Sequence, residues 1–112
     1  MTIRTGGCLC GAIRYELAAD PTYQVACHCR ACQYVSGGSP TLAMIVPRSA
    51  LKITGGEPRT YWSAAESGRQ VGRSFCAECG TPVFSEPSGN PDIAVIKVGS
   101  LDDPSDFNSS SF

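Results

Sequence analysis

The chain of 112 residues has 42% hydrophobic positions, 17% charged ones and a formal net charge of −1. That length makes one small domain spanning residues 1–112, and a charge so near neutral excludes a basic nucleic-acid-binding stripe or a membrane-surface patch. No apolar run approaches the roughly 18 residues of a membrane-spanning helix, and the opening Met1-Thr2-Ile3-Arg4-Thr5-Gly6-Gly7 lacks the apolar centre of a secretory signal.

Twelve glycines and eight prolines cut the chain finely, and the longest stretch free of both is residues 22–36. Helices average about 11–12 residues, so a helical bundle is excluded. Alternation of apolar and polar residues predicts a half-buried strand over 12–17 and a second over 23–26. The continuous apolar run 41–46, stopped by Pro47, predicts a buried strand. One helical turn at 49–51 and a strand at 51–54 lead into Gly55-Gly56. Residues 59–62 and 72–75 read as a pair of strands joined by the polar span 63–70. The piece 81–84 contains Pro82, which confines it to an edge or a strand start. Residues 92–98 carry the strongest strand signal, and the Ser/Asp/Asn-rich stretch 102–112 reads as a mobile tail.

The seven cysteines fall into three short clusters: Cys8-Leu9-Cys10, Cys27-His28-Cys29-Arg30-Ala31-Cys32 and Cys76-Ala77-Glu78-Cys79. An odd number leaves one thiol over from any set of disulfides, and two neighbouring pairs have members too close for ordinary disulfide geometry. Short clusters separated by long spacers are how chains build zinc sites, each loop presenting two thiolates on one side. Four ligands close a structural tetrahedron, and three leave an open position, so seven divides as four and three. Spacing alone permits a two-knuckle ribbon of Cys29, Cys32, Cys76 and Cys79. The glycines favour another division: Gly11 follows Cys10 and Gly80 follows Cys79, each suited to the tight turn that closes a ligand loop. Cys8, Cys10, Cys76 and Cys79 then form the closed site, and Cys27, Cys29 and Cys32 the open one. His28, the single histidine, points away from its flanking cysteines if the segment is extended, which argues against it as a ligand to the same ion.

These motifs resemble the glutathione-dependent formaldehyde-activating (GFA) family, also called centromere-protein-V-like. The matching runs are Gly6-Gly7-Cys8-Leu9-Cys10-Gly11-Ala12-Ile13-Arg14-Tyr15, then Cys27-His28-Cys29-Arg30-Ala31-Cys32, then Phe75-Cys76-Ala77-Glu78-Cys79-Gly80-Thr81-Pro82-Val83-Phe84, with Gly99-Ser100-Leu101-Asp102-Asp103-Pro104 similar to a late motif. The resemblance implies a mainly β fold, the β-tent, made of small antiparallel sheets stapled by zinc. It also implies two Zn²⁺ per chain, a structural ion on Cys8, Cys10, Cys76 and Cys79 and a second, more easily lost ion on Cys27, Cys29 and Cys32. The activity it implies is carbon–sulfur lyase chemistry, the joining of glutathione and formaldehyde to S-hydroxymethylglutathione. Where other members continue in an aromatic-rich segment, this chain has Asn108-Ser109-Ser110-Ser111-Phe112.

Two readings of different class follow. In the first, the chain is a cytoplasmic lyase whose open zinc takes a small thiol such as glutathione and adds it to formaldehyde or a related small electrophile. In the second, it is a non-catalytic zinc-stapled β module that binds a thiol or a partner protein. Beyond the second zinc site no catalytic side chain is assigned. Three thiolates around a dication leave one negative charge uncompensated, so an anionic tripeptide needs a basic clamp. Arg30 is the candidate within the site loop, and Arg48 and Lys52 are further ones. A redox role for Cys29 and Cys32 lacks the βαβ setting such motifs use.

Overall fold

Short, glycine-punctuated segments with period-two alternation fold into antiparallel ladders. The computed structural model describes residues 3–64, 68–105 and 107. In chain order the elements are β1 (Arg4–Gly7), β2 (Arg14–Leu17), β3 (Tyr23–Cys27), α1 (Arg30–Ser36), β4 (Thr41–Pro47), β5 (Leu51–Gly55), β6 (Arg59–Ala64), β7 (Gln70–Phe75), β8 (Pro82–Pro87) and β9 (Ile93–Lys97). Single 3-10 turns at Arg48–Ala50 and Val98–Ser100 follow β4 and β9. The strands form two sheets, β1-β2-β5 and β3-β4-β9-β8-β7-β6, with every pairing antiparallel. This is the mainly β, antiparallel architecture that the resemblance implied.

The last strand in sequence lies inside the larger sheet, between β4 and β8. Its residues 93–97 carry the apolar side chains a doubly neighboured strand requires, and Ala94 and Ile96 are fully buried. Side chains directly opposite one another share a face, and alternate residues along a strand do too. Met44, Ile96, Phe84 and Ser74 thus make one buried face of the larger sheet. Tyr15 and Leu17 from β2, with Ile13 and Leu101, close over that face in one hydrophobic cluster. The Tyr15 hydroxyl finds the Ser100 hydroxyl at 2.7 Å, and burial pushes its pKa up to about 12.

The opposite face of the larger sheet carries a different set of side chains. Through the ladders Cys27 faces Thr41, Lys97 faces Ala43, Ser85 faces Val95, Arg73 faces Ser85 and Tyr61 faces Arg73. All of these project to the side away from the main core. Helix α1 lies at the β4 end of this side, where the Thr41 hydroxyl donates to the Cys32 carbonyl at 2.9 Å.

The structure departs from the sequence reading in a few places. The piece over 81–84 is longer, a strand interior to the sheet that reaches Pro87, with Pro82 at its start, where no ladder N–H is lost. The short helix after Cys29 and β1, with its glycine pair and no alternation signal, both escape prediction. Of the stretch 102–112, residues 106 and 108–112 lie outside the described residues. Its start is fastened: the Asp102 N–H donates to the Thr5 carbonyl at 3.0 Å, its carboxylate takes bonds from Thr5 and Arg14, and Phe107 packs on the core. Among the described residues no helix is long and apolar enough to cross a membrane.

Candidate metal centres and the groove beside them

The first cysteine group is built from two turns that face each other. Cys8 closes its turn with the N–H of Gly11 bonded to its carbonyl at 3.1 Å, and Cys76 does the same with Gly80 at 2.8 Å. Gly11 and Gly80 adopt φ of +83° and +78°, the left-handed region that a side chain disfavours. The turns are tied together by Thr81, whose Oγ1 accepts from the Leu9 N–H at 3.1 Å and lies 3.1 Å from the Cys79 sulfur. To a Cys79 thiolate the Thr81 hydroxyl is the donor.

The Sγ atoms of Cys8, Cys10, Cys76 and Cys79 lie within 4.8 Å of one another. Two separations, Cys8 to Cys10 at 3.5 Å and Cys10 to Cys76 at 3.7 Å, are far beyond a disulfide bond. They match the roughly 3.8 Å between sulfurs of a tetrahedron with Zn–S bonds of about 2.3 Å. Backbone N–H groups of Ile13 and Glu78 donate to the Cys8 and Cys76 sulfurs at 3.2 and 3.4 Å, as they would to thiolates. Charge is shared unequally. The Thr81 hydroxyl, then the N–H groups of Thr81 and Cys10, hold the Cys79 thiol down to about 5. The Ala12 N–H favours the Cys10 thiolate, but the neighbouring sulfurs of Cys8, Cys79 and Cys76 outweigh it and push Cys10 up to about 12. Four thiols this close cannot all ionise without a cation among them.

The second group, Cys27, Cys29 and Cys32, also has its Sγ atoms within 4.8 Å of one another, all half-buried. Cys27 ends β3, Cys29 is the extended residue that caps α1, and Cys32 lies in the helix's first turn. The cap is unusual in being a thiol: the Cys29 sulfur accepts from the Cys32 N–H at 3.4 Å. Burial pushes the Cys32 thiol up to about 12, helped by Cys27 and Cys29, whereas Cys29 falls below the ordinary thiol value because N–H donation outweighs its burial. His28 is exposed and stands outside this group; its carbonyl accepts from the Gln33 side chain at 3.2 Å. The ribbon of Cys29, Cys32, Cys76 and Cys79 is not formed, since those pairs belong to separate groups.

Of the basic candidates, Arg30 opens α1, stacks 4.5 Å over the Tyr34 ring and donates to the Gln33 side chain at 2.8 Å. Arg48 follows the far end of β4 from Cys27 and is committed to Glu86 at 3.1 Å. Lys52 is exposed on β5, in the smaller sheet, opposite Glu16. Two cations that the sequence reading passed over stand closer. Lys97, at the end of β9, is half-buried; burial pulls its pKa below the ordinary lysine value, Arg73 repels it, and Cys32, Cys27 and Cys29 act on it with the opposite sign. Arg73, in mid-β7, donates to the Ser63 hydroxyl at 2.6 Å. The available signal was a lone lysine closing an apolar strand and a lone arginine between Gly72 and Ser74. Both line a groove along α1, made of hollows of about 370 to 430 Å³ that share Val35 as a wall.

Residues 3–111 match the family described as glutathione-dependent formaldehyde-activating enzyme. The chain belongs to that family. Its fold is also similar to the crystal structure of a Rhodobacter sphaeroides protein, with a TM-score of 0.73 and 22% identity over 96% of this chain and 97% of that one. Among the described residues the two cysteine groups could each hold a metal ion, and the groove runs beside the second.

Proposed function

We propose that this chain is a zinc-dependent, cytoplasmic carbon–sulfur lyase of the GFA type, with a structural Zn²⁺ on Cys8, Cys10, Cys76 and Cys79 and a second on Cys27, Cys29 and Cys32. The observation that carries the reading is the contrast between the two groups. One has four sulfurs linked by knuckle turns; the other has three, half-buried, beside a groove. Three protein ligands leave room for a substrate atom, and thiolate donors favour a soft one, such as the sulfur of glutathione. Zinc bound there supplies acidity, so that the thiol is deprotonated at neutral pH.

The chain's own residues do the rest. Cys29 and Cys32 sit on one helical turn, and the Thr41 hydroxyl, by bonding the Cys32 carbonyl, fixes that turn on the sheet. A thiol and an aldehyde held side by side there react with the entropy of encounter already spent. In the addition a carbon–sulfur bond forms, the carbonyl π pair moves to oxygen, and the thiol's proton ends on the new hydroxyl. The test is to supply purified protein with glutathione and formaldehyde and follow S-hydroxymethylglutathione. The expected result is accelerated formation that Cys29→Ser abolishes. Formation at the uncatalysed rate by protein loaded with two zinc ions would overturn the lyase reading in favour of a thiol-binding module.

A further inference from the structure

The middle hollow of the groove has an unusual wall. Arg73 and Lys97 both line it, and apart from Ser74 the remaining surroundings are apolar or aromatic, among them Val35, Tyr61, Phe75 and Pro82. Across all three hollows no lining residue is acidic among the described residues. Among the described residues neither cation has a carboxylate partner there; the ion pairs of those residues include Arg4 with Asp20, Arg14 with Asp102, and Arg48 with Glu86. Two half-buried, like-charged groups that repel each other in an apolar setting are costly, and an anion between them relieves both the repulsion and the lost hydration. The ladder explains why they converge. Lys97 and Arg73 sit on the same face of the sheet: Arg73 is in one cross-strand row with Ser85 and Val95, and Lys97 follows Val95 by two residues on β9. The Ser85 hydroxyl is itself buried without a hydrogen-bond partner.

The hollow is close to the three-cysteine group. Val35 lies three residues beyond Cys32 on the same side of α1, a spacing of about one helical turn, or roughly 5 Å. A small molecule whose sulfur reaches the three cysteines therefore has its next few atoms over this hollow.

We propose that Arg73 and Lys97 form an anion subsite that selects thiols bearing a carboxylate, the acid binding in the hollow walled by Val35 and Tyr61. This rests on the thiol reading above and deepens it: the subsite, rather than the metal, discriminates among thiols. It also answers the charge problem, because two cations offset the negative charge of three thiolates around a dication.

The test uses full-length, zinc-loaded protein and three probes: glutathione, glutathione diethyl ester with its carboxylates masked, and S-methylglutathione with its sulfur capped. Binding is measured by titration calorimetry, with zinc per chain counted in each sample. Wild type is expected to bind glutathione about tenfold or more tightly than the diester, the size of a charge-assisted contact. Arg73→Gln and Lys97→Gln should each bring that ratio close to one with zinc content unchanged, and Arg73→Lys should restore part of it. A wild-type ratio near one, or a ratio that both Gln variants retain, would overturn the subsite. S-methylglutathione separates the two claims. If it binds wild type as tightly as glutathione and loses affinity in the Gln variants, the subsite stands and the thiol reading falls.

Discussion

Asp102 shows how single residues hold the periphery of the small sheet. Its carboxylate accepts from the Arg14 guanidinium, at 3.0 Å for one contact, and from the Thr5 hydroxyl at 2.7 Å. Arg14 first and Thr5 second lower its pKa from 3.8 to about 2. Because the folded value lies below the unfolded one, the stability it contributes is present above pH 3.8 and is lost as the pH falls through about 2. Acid-unfolding profiles of wild type and Asp102→Asn should therefore differ above this window and converge within it; superimposable profiles would deny the contribution. His28 makes an opposite kind of prediction. It is exposed beside two cysteines yet outside their group, so His28→Ala should keep the wild-type zinc content by elemental analysis. One ion fewer per chain would make the imidazole a ligand.

At the scale of the element, the two cysteine groups differ in what they hold together. The first joins the loop after β1 to the loop after β7, which are distant in sequence and meet only if the fold is complete. The second spans six residues across the end of β3 and the start of α1. Cys79→Ser should lower stability by about 3 kcal/mol or more, a fall of roughly 10–20 °C in melting temperature. Cys29→Ser should leave the melting temperature within a few degrees of wild type while removing the second metal, because serine is a good helix cap and replaces the sulfur that accepts from Cys32. Equal melting temperatures for the two variants, each with full zinc, would contradict the division. Much of this was legible from residue types. Gly11 and Gly80 mark the knuckles because only a residue without Cβ adopts their backbone cheaply, and the strands announce themselves by alternation. Helix α1 was hidden because its cap is a cysteine rather than Ser, Thr, Asn or Asp, and because seven residues carry too little periodicity to read.

The molecule as a whole separates two tasks by the two faces of its six-stranded sheet. One face is core, centred on Met44 and Ile96, both fully buried, and closed by β2. Met44→Ala should cost about 2–5 kcal/mol in denaturant unfolding without altering metal content. The other face carries Cys27, Lys97, Arg73 and Tyr61, and this was beyond sequence reading for a physical reason. Which cations converge depends on the order β4-β9-β8-β7, and placing the last strand inside the sheet is a long-range pairing that local pattern does not encode. Arg48 was a candidate in the sequence and Arg73 was not, yet the fold puts Arg48 beyond the far end of β4 from Cys27. The central claim, a closed metal site that holds the fold and an open one that takes a thiol, is tested most directly by zinc release under limiting chelator, with and without glutathione. The predicted result is release in two steps, the first ion leaving without unfolding and more slowly when glutathione is present, since a ligand on the native site protects it by mass action. Simultaneous loss of both ions, at a rate indifferent to glutathione, would contradict it.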